Sequence, residues 1–89
     1  MERELNTVKI EIGHEYKING RFFTVTRQTD LALNPGLSKY VKSEHHLIGR
    51  RGAERILAIR HNGSGFIYGW AGTEEIKTFS ETPRWWENR

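Results

Sequence analysis

The sequence predicts an all-β fold: a small, strongly bent antiparallel barrel of the SH3-like type, with an OB-like barrel as the alternative and a short C-terminal helical turn. Three observations point there. Short apolar runs with strand-like character recur along the chain. Turn residues, chiefly the nine glycines, separate them at close intervals and leave no room for a long helix. And 89 residues are enough for one domain but not for two. Six or seven short strands in so small a chain leave exposed edges unless the sheet curls on itself.

Residues 1–6 carry no periodic pattern and are expected to be a flexible N-terminal tail, so the barrel domain is drawn over residues 7–89. Val8, Ile10 and Ile12 alternate with Lys9 and Glu11, the period of a half-buried strand over residues 7–12. Asn19-Gly20 then separates two further strand-like runs. This is the strongest hairpin signal in the chain, because a type I′ turn needs positive φ at both central positions. With those two residues in the turn, Ile18 pairs with Arg21, Lys17 with Phe22 and Tyr16 with Phe23. Tyr16, Ile18, Phe23 and Val25 then share one face, and Phe22 is left on the polar side beside Lys17.

Asn34-Pro35-Gly36 marks residues 30–38 as a loop, with Leu31, Leu33 and Leu37 expected to tuck under the core. Ser38 can cap a short helix running to Glu44, and a strand over residues 39–42 fits as well. Residues 45–50 and 54–61 read as a second hairpin that closes through Arg51-Gly52-Ala53. The unbroken run Ile56-Leu57-Ala58-Ile59 suits a strand covered on both faces. Residues 66–71 and 74–79 complete the strand set. Thr82-Pro83 opens the helical turn that holds Trp85 and Trp86.

The composition narrows function mainly by exclusion. A chain with 36% hydrophobic and 28% charged residues can bury a core, which separates it from disordered, charge-rich chains. With no cysteine there can be no disulfide, thiolate zinc site, iron–sulfur cluster or cysteine nucleophile. The longest uncharged stretch, residues 61–73, is polar and glycine-rich and falls short of the roughly 20 apolar residues of a membrane helix. Residues 1–6 lack the apolar core of a signal peptide. A cytoplasmic protein is the expectation.

Fourteen Lys and Arg against eleven Asp and Glu give a net charge of +3, unevenly spread. Residues 39–62 alone hold six bases (Lys39, Lys42, Arg50, Arg51, Arg55 and Arg60) and two acids. Such clustering favours polyanionic partners. Arg50 and Arg51 sit at a hairpin tip, where guanidinium groups can grip phosphates through paired hydrogen bonds.

Phe66, Tyr68 and Trp70 recur at every second position and so share one face of a strand. Two readings stand: a packed core face, with Gly69 at a barrel corner, or a stacking platform for bases. Trp85 and Trp86 either plug the barrel end or form a contact for a protein partner or second copy. Of the histidines, His45 and His46 point to opposite faces of a strand and cannot share an ion, so no metal or cofactor is expected. No strand–turn–helix elbow or phosphate loop is present, and Gly63-Ser64-Gly65 lacks the lysine that such a loop needs.

The expectation is therefore a non-enzymatic nucleic-acid-binding module. Lys39, Lys42, Arg50, Arg51, Arg55 and Arg60 would contact phosphates, and Phe22, Tyr68 and Trp70 would contact bases. The alternative is a protein–protein interaction module, a small regulatory or accessory subunit, that docks through Trp85, Trp86 or a strand edge.

Overall fold

The computed structural model describes residues 9–82. Among them seven strands form one antiparallel sheet: β1 (Glu15–Ile18), β2 (Arg21–Gln28), β3 (Val41–Gly49), β4 (Glu54–Arg60), β5 (Gly65–Gly69), β6 (Gly72–Glu75) and β7 (Phe79–Glu81). Their order, β6-β5-β4-β3-β2-β1-β7, is a meander of consecutive neighbours with one exception, the pairing of β7 with β1. The sheet is strongly curled into a half-barrel, the small all-β architecture expected from strand number and chain length.

The curl follows from connectivity. β6 lies on one edge of the sheet and β7 on the other, yet only residues 76–78 join them. That link can span no more than about 14 Å, so the two edges must approach each other across the open side. Register shifts between Val25 and Arg27 and between Val41 and Ser43 bend the long strands toward this closure. The seam is then tied by one side chain. Asn19 donates from Nδ2 to Oε2 of Glu74 and to the Glu75 carbonyl, each at 2.8 Å. Its Oδ1 accepts from the backbone N–H groups of Lys77 at 2.7 Å and Thr78 at 3.1 Å. Arg21 adds an ion pair to Glu74.

The core fills the inner face. Tyr16, Ile18, Phe23, Val25, Leu47, Leu57, Ile59, Ile67 and Phe79 form one buried cluster, with Ile10 and Ile76 packed against it. The β1–β2 hairpin has the register read from the sequence, Ile18 with Arg21, Lys17 with Phe22 and Tyr16 with Phe23. Its turn holds Asn19 at φ 50° and Gly20 at φ 84°, the left-handed pair that a type I′ turn requires. A β-branched side chain at position 20 meets that conformation with strain, so Gly20→Val should lower stability by roughly 1–2 kcal/mol in denaturant unfolding.

Four expectations need correction. Residues 9–11 are not a strand, and residues 12–13 form a turn. The backbone groups that a ladder would have used are taken by Tyr16, whose hydroxyl accepts from the Glu11 N–H at 2.8 Å and donates to the Lys9 carbonyl at 3.2 Å. Ile12 is consequently exposed. The leucines of residues 30–38 are not all tucked under the core: Leu33 is 83% exposed, and Leu31 and Leu37 are only half-buried. Asp30 caps a 3-10 turn over Leu31–Leu33, and Asn34 caps a single α-turn, α1 (Pro35–Ser38), so local hydrogen bonds hold the loop outside the barrel. No helix continues to Glu44, because β3 begins at Val41. The run expected at residues 74–79 is split into β6 and β7 by the crossing of the seam. The tail over residues 1–6 and the helical turn with Trp85 and Trp86 lie outside the described residues.

His45 is an unusual core neighbour. It is only 5% exposed, and its Nδ1 has no hydrogen-bond partner among the described residues. Burial holds its pKa below the ordinary 6.5, and the adjacent Glu44 charge opposes that shift only in part. The unfolded chain therefore binds this proton more readily than the folded one. Stability is intact above about pH 6.5 and falls as the pH drops below it. The loss precedes the titration of Glu15, Glu74 and Glu75, whose pKa values lie below the usual 4.5 through their arginine and asparagine partners. His45→Leu should flatten the pH dependence of the melting temperature between about pH 4.5 and 6.5. An unchanged slope in that window would exclude His45 as its source.

Candidate functional site

In an antiparallel meander, alternate turns share an end. The β1–β2 turn at Asn19-Gly20, the β3–β4 turn over residues 50–53 and the β5–β6 turn at Trp70-Ala71 therefore gather at one end of the half-barrel. Arg21, Arg50, Arg51, Arg55, Phe22 and Trp70 come together there. Lys39, Lys42 and Arg60 lie toward the opposite end, after α1, at the start of β3 and at the close of β4. The six bases expected to act together are thus split into two groups.

The aromatic ladder faces outward. Gly65 and Ile67 point into the core, which puts Phe66 and Tyr68 on the outer face and leaves Trp70, at the turn, 100% exposed. The three are not equivalent. Phe66 is covered by the Arg60 guanidinium, 4.6 Å from its ring centroid. That arginine is itself held by Glu75 through Nη1–Oε1 at 2.8 Å and Nη2–Oε2 at 2.6 Å. Tyr68 is half-buried, and its hydroxyl donates to the buried carboxylate of Glu44. Burial first, and then this bond, push the phenol pKa up to about 12, so Tyr68 is a neutral, fixed donor at neutral pH. Its ring orientation is set from behind, while Trp70 is fully exposed.

Tyr68 belongs to a row that crosses four strands at matched register: Arg27 on β2, His46 on β3, Ile56 on β4 and Tyr68 on β5. With Trp70, Ile48 and Arg55 this row lines a shallow groove of about 550 Å³ on the outer face. Arg55 pairs with the buried Leu47, so its side chain leaves β4 on the inner side at the end of the sheet, at the mouth of the groove, where the bare Gly69 of β5 makes room for it. A Cβ there would lie 2.9 Å from Cδ of Arg55 and 3.0 Å from the Glu54 carbonyl. Arg55 Nη1 is anchored to that same carbonyl at 2.7 Å, and neither Arg55 nor Arg51 forms an ion pair among the described residues.

Arg50 and Phe22 have different surroundings from those expected of them. The Arg50 guanidinium lies 3.9 Å from the Phe22 ring centroid, and Lys17 Nζ lies 5.5 Å from it. Arg50 also makes two parallel hydrogen bonds to Glu15, Nε–Oε2 at 2.9 Å and Nη2–Oε1 at 2.8 Å. This pairing holds the Glu15 carboxyl below the usual range and raises the Arg50 pKa. Phe22 is therefore a supporting ring beneath a fixed guanidinium, and Arg50 carries little uncompensated charge.

Arg27 and Ile48 were not singled out from the sequence, and His46 and Ile56 were weighed there only as a metal ligand and as a core strand residue. Their signal is weak, because the bulge between Val25 and Arg27 shifts the register that would have placed Arg27 opposite His46. No three His, Asp or Glu side chains are grouped to hold a metal ion among the described residues. Comparisons with protein-family models, with curated proteins and with solved structures find no match to this chain.

Proposed function

We propose that this chain is a small non-enzymatic nucleic-acid-binding module that holds a single strand along the outer-face groove. The observation that carries the reading is Trp70, fully exposed at a turn and standing beside a fixed Tyr68 and an arginine that makes no ion pair among the described residues. Trp70 is grouped in the groove with Tyr68 and the exposed Ile48, and a contiguous exposed apolar patch marks a contact surface; a nucleobase fits it, being flat, apolar on its faces and tethered to an anion. In this arrangement Trp70 and Tyr68 stack on bases, and Arg55 and Arg27 contact phosphates. His46 and Ile56 form the floor between them. Lys39, Lys42 and Arg60 take no part in the groove. Single strands are favoured over duplexes because only unpaired bases expose faces for stacking.

The test is a titration of labelled strands of about eight nucleotides, RNA and DNA, single and double, over a range of salt. Single strands should bind, with affinity falling as salt rises. Trp70→Ala should weaken binding by about 1–3 kcal/mol at nearly constant salt slope. Replacing Arg27 and Arg55 together should reduce the slope by about 1.4, or 0.7 for each lost phosphate contact. Failure of the unaltered protein to bind any strand below about 100 µM at low salt would overturn the reading, since ordinary non-specific binders do better.

A further inference from the structure

A second depression, of about 350 Å³, opens between the β1–β2 and β3–β4 turns, lined chiefly by Arg21, Phe22, Phe23, Arg50, Arg51 and Arg55. Four of these residues are arginines. Two are neutralised in place, Arg21 by Glu74 and Arg50 by Glu15. The other two, Arg51 and Arg55, make no ion pair among the described residues. Arg55 borders both this depression and the outer-face groove, so the two sites adjoin at the same end of the sheet.

The neutralised Arg50 adds a second feature. It rests against Phe22 and is clamped along one edge by Glu15, yet its side chain remains 61% exposed. A guanidinium so held is a rigid, planar, weakly hydrated surface on which a base can stack without further loss of side-chain freedom. A stacking plane beside two guanidinium groups that make no ion pair among the described residues matches one ligand chemistry, a nucleotide that carries a phosphate monoester. Such a group carries about two negative charges where an internal phosphodiester carries one.

Resting on the nucleic-acid reading above, we infer that this depression recognises the phosphorylated end of the bound strand. The terminal base lies on Arg50, and Arg51 and Arg55 hold the terminal phosphate. The strand then passes over Arg55 into the groove beside Trp70. A terminus of either polarity supplies the same monoester, and the measurement separates the two.

The experiment compares the affinity of the full chain for one eight-nucleotide strand with a free end, a 5′-phosphate or a 3′-phosphate. One of the two phosphorylated forms should bind about tenfold more tightly than the free strand, the gain expected of a further charge-assisted contact. In Arg51→Ala, a change at an exposed turn, the ratio should fall toward one. In Trp70→Ala both affinities should drop while the ratio is retained. Arg55→Lys, which keeps the charge but not the forked geometry, should reduce the ratio, with a thermal melt confirming the fold.

Unmodified and phosphorylated strands that bind equally would overturn this inference and leave the groove standing. A ratio that survives in Arg51→Ala would place the phosphate elsewhere and overturn it also. A chain that binds no strand of any kind would overturn the functional reading and, with it, this one.

Discussion

Tyr16→Ala should lower the stability of the fold by roughly 3–5 kcal/mol, a large share of the 5–15 kcal/mol that holds a typical domain together. Tyr16 is fully buried, stacks on Phe79 at 5.2 Å and meets the edge of His14 at 4.8 Å. Its ring joins the β1–β7 pair to the rest of the core, so its loss leaves a cavity where two distant parts of the chain meet. In a domain of this size each kcal/mol moves the melting temperature by about 4–8 °C, so the variant should melt at least about 12 °C below the parent. Tyr16→Phe separates packing from hydrogen bonding. It keeps the ring but strands the Glu11 N–H and the Lys9 carbonyl, and should cost about 1–2 kcal/mol. If Tyr16→Phe were as damaging as Tyr16→Ala, the hydroxyl and not the ring would dominate.

The second large effect is expected at Asn19. This one side chain makes four hydrogen bonds across the seam while its backbone holds φ 50°. Net contributions of about 0.5–1.5 kcal/mol per bond, reduced by exposure, put Asn19→Ala near 2–4 kcal/mol. Asn19→Gly relieves the backbone but loses the same bonds, so the difference between the two variants measures the left-handed conformation alone. Asn19→Asp retains the two bonds accepted by Oδ1 and sets a carboxylate against Glu74, so it should be more damaging at neutral pH than near pH 3. Equal unfolding midpoints for Asn19→Ala and the parent would show that the Asn19 side chain contributes nothing to stability.

The parts of this fold that sequence reasoning reached are those governed by local chemistry. Asn19-Gly20 dictates a turn type, the turn type dictates register, and register divides Tyr16, Ile18, Phe23 and Val25 from Lys17 and Phe22. The β3–β4 hairpin followed in the same way from Arg51-Gly52-Ala53. The misreading of residues 9–12 has an opposite cause. Val8, Ile10 and Ile12 have strand periodicity, but a hydroxyl five to seven residues further on takes the backbone groups, and no period reports that bond.

The site was legible in its residue types and much less in its grouping. Periodicity placed Phe66, Tyr68 and Trp70 on one face without saying which. The choice is made by Gly65 and Ile67 on the alternate positions, and by the room at Gly69 that Arg55 occupies. Clustering of charge in sequence likewise concealed pairing in space. Arg50 meets Glu15 and Arg60 meets Glu75, partners 35 and 15 positions away, so two of the six expected phosphate contacts are already occupied.

The order of the strands has a kinetic consequence. Every pairing but one joins neighbours in sequence, so each hairpin from β1 to β6 can form by closing a short loop. Only β7, which pairs Phe79 with Ile18, must wait for nearly the whole chain to be in place, because the entropy of closing a loop rises with its length. The meander thus forms early and the seam locks last. Interactions at the seam are then absent from the folding transition state, and their loss speeds unfolding while leaving the rate of folding almost untouched. The side chain of Asn19 acts less on how quickly this chain finds its fold than on how long it stays there.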